Sequence, residues 1–387
     1  MSARFDPADH LSDELLARIR SRAAAVDAEN VFPQADLDEL REAGYLRILV
    51  SVERGGAGLS LAQASELQQR LAHAAPATAL AVNMHLVWTG VAKVLRDRGI
   101  DDLAFVEEQA ADGAVFAFGI SEAGNDLVLF GSDTAAAPGP DGSYAFTGTK
   151  IFTSLAPVWT WLGLHGLDTT SPDGPKLVFA FVDRDERVVT RDDWDTLGMR
   201  GTQSRTTELH GVVAPAERVV RTMPAGPSAD PLAFAIFAVF EVLLASVYTG
   251  IARRALELAI ESAHRRRSKR TGLPYSQDPD IRWRVAEMAL AYDALPPQLT
   301  AIASDVDGRV DHGARWFSLL SGLKHRATTT ARTIVDEAML VGGGSSYFSR
   351  SELSRLYRDV LAGAFHPSDP ESAHSTVASA WLGPMEA

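Results

Sequence analysis

Over roughly the first 112 positions apolar residues recur at helical spacing, and the residues between them fit helix ends. Ser12 followed by Asp13 and Glu14 marks one N-terminus, the stretch 37–43 stops at Gly44, and Ser60 opens a helix over 61–75. Pro76 punctuates, and 77–98 form a long, mostly apolar helix ending at Gly99. From Val115 the pattern shortens to β-branched and aromatic runs at 115–118, 144–147, 150–153, 161–164, 177–182 and 205–209. Pro, Gly and Asp clusters at 138–142 and 171–174 separate them, which is the spacing of an all-β unit. Beyond a linker at 223–231, helical patterns resume to 263 and then run over 280–310, 314–341 and 351–361.

The predicted fold is mostly α with a central β domain. An N-terminal helical domain covers 1–114, a β-barrel or sandwich domain 115–224, and a C-terminal four-helix bundle 225–387, which suits a chain of 387 residues. Residues 232–251 carry a single formal charge, Glu241, and are long enough to raise the question of a membrane span. A central carboxylate is costly in a bilayer, and the run continues without a break into an amphipathic stretch, so a central bundle helix and no membrane partner are expected.

With 46% apolar and 22% charged residues the composition is that of a globular chain. The absence of cysteine excludes disulfides and thiolate sites. The first residues lack an apolar core of signal length, and a cytoplasmic location is expected. A net charge of −13 argues against a nucleic-acid partner. One local exception is His264 to Arg270, with five positive charges in seven residues. It is either a cationic helix end that complements the dipole or a site for a cofactor or substrate phosphate. There is no metal-ligand spacing, P-loop or dinucleotide fingerprint, so no metal is expected. His85 is expected to be a packed interior histidine.

Four motifs occur in a telling order: Ser121-Glu-Ala-Gly124, Gly148-Thr-Lys-Ile-Phe-Thr-Ser154, Leu197-Gly-Met-Arg-Gly-Thr202 with Val213-Ala-Pro-Ala-Glu217, and Arg355-Leu-Tyr-Arg-Asp359. Together they resemble acyl-CoA dehydrogenases over essentially the whole chain. The resemblance implies FAD, with Ser121 and Gly124 at the flavin pyrimidine and Phe152, Thr153 and Ser154 at the isoalloxazine. It places Arg265, Arg266, Arg267 and Lys269 at the pyrophosphate and adenosine, and matches Gly342 and Gly343 to the family's glycines. It further implies a homodimer or homotetramer sharing the flavin site, a small-molecule or acyl thioester substrate, and an electron-transfer flavoprotein or flavin reductase as partner.

The departures bear on the chemistry. Residues 125–128 (Asn-Asp-Leu-Val) replace a small segment used near the CoA moiety, and Met339 stands where a glutamine is common. Where most of the family carries its proton-abstracting glutamate, this chain has Pro367 preceded by His366. The family's commonest activity makes α,β-dehydrogenation of an acyl-CoA or acyl-carrier-protein thioester the first expectation, with Glu241 as a displaced base. A lone carboxylate among Phe240, Val242, Leu243 and Leu244 should be desolvated and its pKa raised. Its plainer reading is a structural glutamate paired with an arginine or facing a subunit interface. The alternative follows from flavin monooxygenases of the same fold, which use a C-terminal histidine and a strand-borne serine. His366 and Ser154 match those places, and imply reduced FMN or FAD supplied by a reductase. A non-catalytic flavoprotein is the third expectation. Trp88, Trp159 and Phe237 are candidates to shape the substrate pocket.

Overall fold

The computed structural model describes residues 5–383 and 385. Helices α1 (Asp13–Glu29), α2 (Gln34–Glu42), α3 (Leu61–Ala74), α4 (Pro76–Arg96) and α5 (Ala104–Ala111) come first. Strands β1 (Phe116–Gly119), β2 (Ala135–Pro138), β3 (Tyr144–Thr153), β4 (Trp161–Asp168), β5 (Lys176–Asp183), β6 (Val188–Thr190), β7 (Arg205–Ala214) and β8 (Val219–Pro224) follow. The chain then returns to helix in α6 (Pro231–Arg265), α7 (Pro279–Asp293), α8 (Leu295–Asp307), α9 (Arg315–Gly342), α10 (Glu352–Val360) and α11 (Pro370–Leu382).

The helix ends obey local chemistry. Ser12 caps α1 by accepting from the Leu15 amide, and Asn30 closes it in the left-handed region. Ser60 and Gln63 form a reciprocal capping box on α3. Asp307 at the end of α8 adds to it, accepting from the amides of Leu61 and Ala62 at 2.9 and 3.0 Å and from Lys93 Nζ at 2.9 Å.

The single helix expected over 280–310 is two helices. Pro296 and Pro297 follow the break at Ala294, because neither can donate a backbone hydrogen bond to the preceding turn. Helix α11 and the short strands β2, β6 and β8 were not anticipated, since their few residues carry little periodic signal.

The strands form one sheet in the order β6-β7-β3-β2-β4-β5-β8, with β1 pairing parallel to β4 outside this path. Two apolar helices tie the layers together. Trp88 of α4 donates to the Ala117 carbonyl on β1, and its indole lies so close to Gly163 on β4 that any side chain there would collide. His85 of α4 accepts from the Phe116 amide at Nδ1, so Nε2 carries the proton and donates to the Leu46 carbonyl at 2.6 Å. It is a packed interior histidine, held neutral by burial with a pKa lowered to about 4. Helix α6 is about 50 Å long. Its apolar run lies inside the bundle, packed most extensively against α9 and also on α3 and α4.

Contacts between residues 196–202 and α10 fix one side of the interior. The Met199 amide donates to Asp359 at 2.6 Å, and Arg358 pairs with Asp27 and donates to the Leu197 carbonyl at 3.1 Å. Gly198 lies flat on the Arg358 carbonyl, where a Cβ would come within 2.2 Å. Gly198→Ala must therefore separate this segment from α10. The expected cost is about 1–3 kcal/mol in urea denaturation; a variant as stable as the parent would contradict this packing.

Candidate active site

A cavity of about 790 Å³ opens where α4, α6, the β domain and the C-terminal segment converge. That volume is typical of a small-ligand or cofactor site. Its apolar wall includes Leu80, Met84, Phe118, Phe240 and Phe365, with the rings of Phe118 and Phe240 stacked 5.5 Å apart.

The β-domain wall is shaped by a break in β3. The register with β7 shifts between Lys150 and Thr153, and Phe152 and Leu155 adopt positive φ of 56° and 64°. Such a bulge re-aims side chains. Here it turns the Phe152 ring out of the sheet, 52% exposed and edge-on to Trp194, and brings Ser154 to the cavity.

The hydroxyl of Ser154 belongs to a chain whose polarity is fixed at its far end. Thr202 donates to the Met199 carbonyl, which can only accept, and Ser204 donates to Thr202 at 2.7 Å. Ser154, 2.7 Å from Ser204, must then donate to it, and turns only lone pairs toward the cavity.

Ser121 also lines this wall, at the start of a loop organised by Glu122. That buried carboxylate accepts from Ser132, Asn125, Lys150, both groups of Thr134 and the Asp133 amide, at 2.6–3.0 Å. Burial alone would raise its pKa; Lys150 and these bonds hold it down to about 2. His165 accepts from Lys150 at Nδ1 and directs Nε2 at the carbonyls of Val128 and Gly131, which pins the loop from its far side.

The C-terminal wall is a loop clasped between α6 and α9. Lys324 of α9 donates to the carbonyls of Gly363, His366 and Ser368 at 3.0, 3.1 and 2.9 Å. Gly363 lets the loop pass within van der Waals reach of Tyr248 and Thr328. Ser368, at φ +57°, donates to Glu241 at 2.5 Å and lies 3.2 Å from Ser321. His366 lines the cavity with Nε2 2.8 Å from the Tyr248 hydroxyl, so Nδ1 is left for a ligand. Burial, and then the nearby Lys324 ammonium, push the imidazole down to about 3.

Ser121, Phe152, Ser154 and His366 thus come together on one cavity, whereas Gly124 and Thr153 lie just outside its wall. Glu241 does not reach it. Its carboxyl is fully buried behind Ser368, with Oε2 lacking a partner among the described residues and the pKa raised by burial. The charge facing it is Lys324, not the expected arginine, because the side chain points from α6 toward α9. Arg265, Arg266, Arg267 and Lys269 cluster instead at the C-terminal end of α6, where Arg266 donates to the Val341 carbonyl beside Gly342 and Gly343. They do not line the cavity, nor do Trp88, Trp159 and Phe237.

Sequence reading missed Trp194, Ser204, Tyr248 and Lys324. Only Lys324 left a signal, as a lysine on the apolar stripe of α9 beside Leu320, Leu323 and Ala327.

The residues present suit a flavin ring. Phe152 offers an apolar face, Ser121 a hydroxyl, Ser154 an acceptor, and Trp194 a buried Nε1 donor without a partner among the described residues.

Residues 8–97 match the family description "acyl-CoA dehydrogenase, N-terminal domain" and residues 242–368 match "acyl-CoA dehydrogenase, C-terminal domain", together more than half of the chain. YdbM of Bacillus subtilis, named as an acyl-CoA dehydrogenase, is 28% identical over 93% of this chain and 92% of its own. The L-evernosamine nitrososynthase of a Micromonospora species is 26% identical over 94% and 88%. A dibenzothiophene monooxygenase of Rhodococcus erythropolis is 27% identical over 91% and 87%. Among solved structures, KijD3 in complex with FMN and a dTDP-linked amino keto sugar superposes with a TM-score of 0.86 at 25% identity, over 100% of this chain and 96% of that one. Butyryl-CoA dehydrogenase of Megasphaera elsdenii shares the fold, with a TM-score of 0.85 at 18% identity over 99% and 100%.

The neutral state of His366 has a measurable signature. In the folded protein its imidazole should not titrate between pH 5 and 8 by NMR; a midpoint above 6 would contradict the geometry. Because an unfolded histidine takes up a proton below about 6.5, His366 contributes stability that is lost as pH falls from there toward 3. His366→Asn should therefore lose less stability than the parent between pH 7 and 5.5, by at most about 1.4 kcal/mol per pH unit.

With its motif order, its three-part architecture and both terminal regions in agreement, the chain belongs to the acyl-CoA dehydrogenase family of flavin-dependent oxidoreductases.

Proposed function

We propose that this protein is a monooxygenase that uses reduced flavin, FMN or FAD supplied by a reductase, to oxygenate a small molecule. The observation that carries the reading is the make-up of the cavity wall. His366 and Ser154 both line it, and none of its carboxylates is placed to take a proton from a carbon deep inside. Glu122 is consumed by its ion pair and hydrogen bonds, Asp369 caps α11, and Asp126 and Glu371 are exposed. Thioester dehydrogenation needs a base at the α-carbon, and Glu241 lies behind Ser368. Similarity to proteins named as a nitrososynthase and a dibenzothiophene monooxygenase supports the same reading.

A reduced flavin bound there supplies the two electrons with which dioxygen gives one oxygen atom to the substrate and the other to water. The chain's own residues prepare the place. Phe152 supports the ring, and Trp194 Nε1 and the Ser121 hydroxyl can donate to its polar edge. Ser154 accepts from a ligand N–H or O–H because its proton is committed to Ser204. Neutral His366 takes or supplies a proton at Nδ1, with Tyr248 fixing the ring. The apolar wall excludes water from the reacting centre.

The test supplies reduced FMN or FAD and ¹⁸O₂ with a panel of arenes, amines and sulfides. One labelled oxygen per product is expected. His366→Ala and Ser154→Ala should each cut transfer by about 10²-fold while hydrogen peroxide release rises. Bleaching of the bound oxidised flavin by an acyl-CoA under anaerobic conditions, with no labelled product from any candidate, would overturn the reading.

A further inference from the structure

We infer that Tyr248, which lies outside the cavity, is a positioning residue for His366. Its hydroxyl donates to Nε2, fixes the imidazole tautomer that carries hydrogen on Nδ1, and so presents the cavity with a hydrogen-bond donor at that atom. This role, which rests on the proposed function for what the donor serves, narrows the part that His366 plays there.

A neutral imidazole has one N–H and one bare nitrogen, and the group bonded to either nitrogen settles which is which. The Tyr248 hydroxyl and His366 Nε2 are 2.8 Å apart, and across that distance alone either could donate. The direction is set by where else the hydroxyl proton can go. Tyr248 is 0% exposed and does not line the cavity, so its proton reaches neither solvent nor a ligand. Asp359 is the carboxylate whose charge acts on the phenol. Its Oδ1 accepts from the Met199 amide, and its Oδ2 has no hydrogen-bond partner among the described residues, so the hydroxyl does not reach it. Among the described residues Nε2 is the one hydrogen-bond partner of the hydroxyl. With hydrogen on Nε2 the phenolic proton would be buried without an acceptor, which disfavours that tautomer about five- to a hundredfold.

The ring is held where this choice matters. Lys324 grips the His366 carbonyl at 3.1 Å, and the Tyr248 and His366 rings meet at 5.8 Å with their planes 59° apart. His366 lines the cavity, and Nδ1 is not among the buried polar atoms left without a partner.

The site thereby gains a fixed polarity. Ser154 only accepts, since its proton is committed to Ser204, and Nδ1 of His366 only donates. A ligand hydroxyl that touches both must accept from His366 and donate to Ser154. An oxygen atom gathering negative charge is favoured at His366. Donation stops at the hydrogen bond. Passing the proton on would leave an imidazolate, or a buried tyrosinate if Nε2 took the phenolic proton in exchange, and burial and then Asp359 both push that phenol up. A neutral imidazole held in this way acts as an electrophile, and its orientation is set before any reaction begins.

The tautomer can be read directly in the full chain carrying ¹⁵N-histidine, near pH 7, where the two His366 resonances are those missing from the His366→Asn spectrum. Nδ1 should show the shift and the one-bond coupling of a protonated nitrogen, and Nε2 the shift of a bare one. Tyr248→Phe removes the donor and keeps the ring, so the two tautomers should become comparable and both shifts move toward their mean. With reduced FMN and ¹⁸O₂ the same variant should lose about two- to tenfold in kcat at unchanged KM. The reverse assignment in the parent overturns the inference, as does a Tyr248→Phe protein with the spectrum or the kcat of the parent. Should that variant fail to fold, the parent spectrum decides the tautomer alone. A parent with hydrogen on Nδ1 that yields no labelled product from any candidate sinks the oxygenase reading and leaves the role of Tyr248 standing.

Discussion

A lysine ammonium buried between two helices has three protons to place, and Lys324 places all of them on carbonyls of one loop. Most of the C-terminal wall follows from that requirement. The loop must pass between α6 and α9, which Gly363 permits, and it carries His366 to the cavity and Ser368 onto Glu241. Glu241 makes sense within the same cluster, because together with Asp369 it opposes the buried charge of Lys324. Removing one member of such a pair leaves a buried charge uncompensated, typically at about 3–5 kcal/mol. The arrangement therefore specifies one loop conformation more than it adds net stability.

The β-domain wall solves the same problem with the signs exchanged. Glu122 is the buried hub, satisfied by Lys150 and by the amides and hydroxyls of residues 125–134, while His165 accepts from Lys150. Both walls are thus organised by a buried charge that spends most or all of its hydrogen bonds on an adjoining loop. Apart from the exposed Asp126 and Glu371 at its edge, the groups left over for a ligand are neutral: Ser121, Ser154, Trp194 Nε1 and His366 Nδ1. A polar site assembled on such supports is ordered before the ligand arrives, which lowers the reorganisation that chemistry would otherwise require.

This division of labour separates two activities that one fold can host. A carboxylate in the place of Pro367, on a loop already gripped by Lys324, would face the cavity. Here that position is an imino acid, and the neighbouring side chain is a histidine held neutral by its surroundings and oriented by Tyr248. Glu241 kept the raised pKa that its apolar neighbours foretold. It is nonetheless turned toward α9, which makes it a support for the loop.

The sequence by itself determined the three-part architecture, because long periodic helices, short β-branched runs and cap residues such as Ser12 and Ser60 act within a few positions along the chain. Through local motifs that carry the family resemblance it also pointed to Ser121, Phe152, Ser154 and His366, which line one cavity. What only the tertiary structure decided was the direction and partnership of buried polar groups. Lys324 and Glu241 lie 83 positions apart and Ser154 and Ser204 fifty, and no periodicity links them. Whether a buried carboxylate serves as base or as brace depends on which helix face its neighbours leave open. That is fixed by how α6 packs against α9, not by the residues on either side of Glu241.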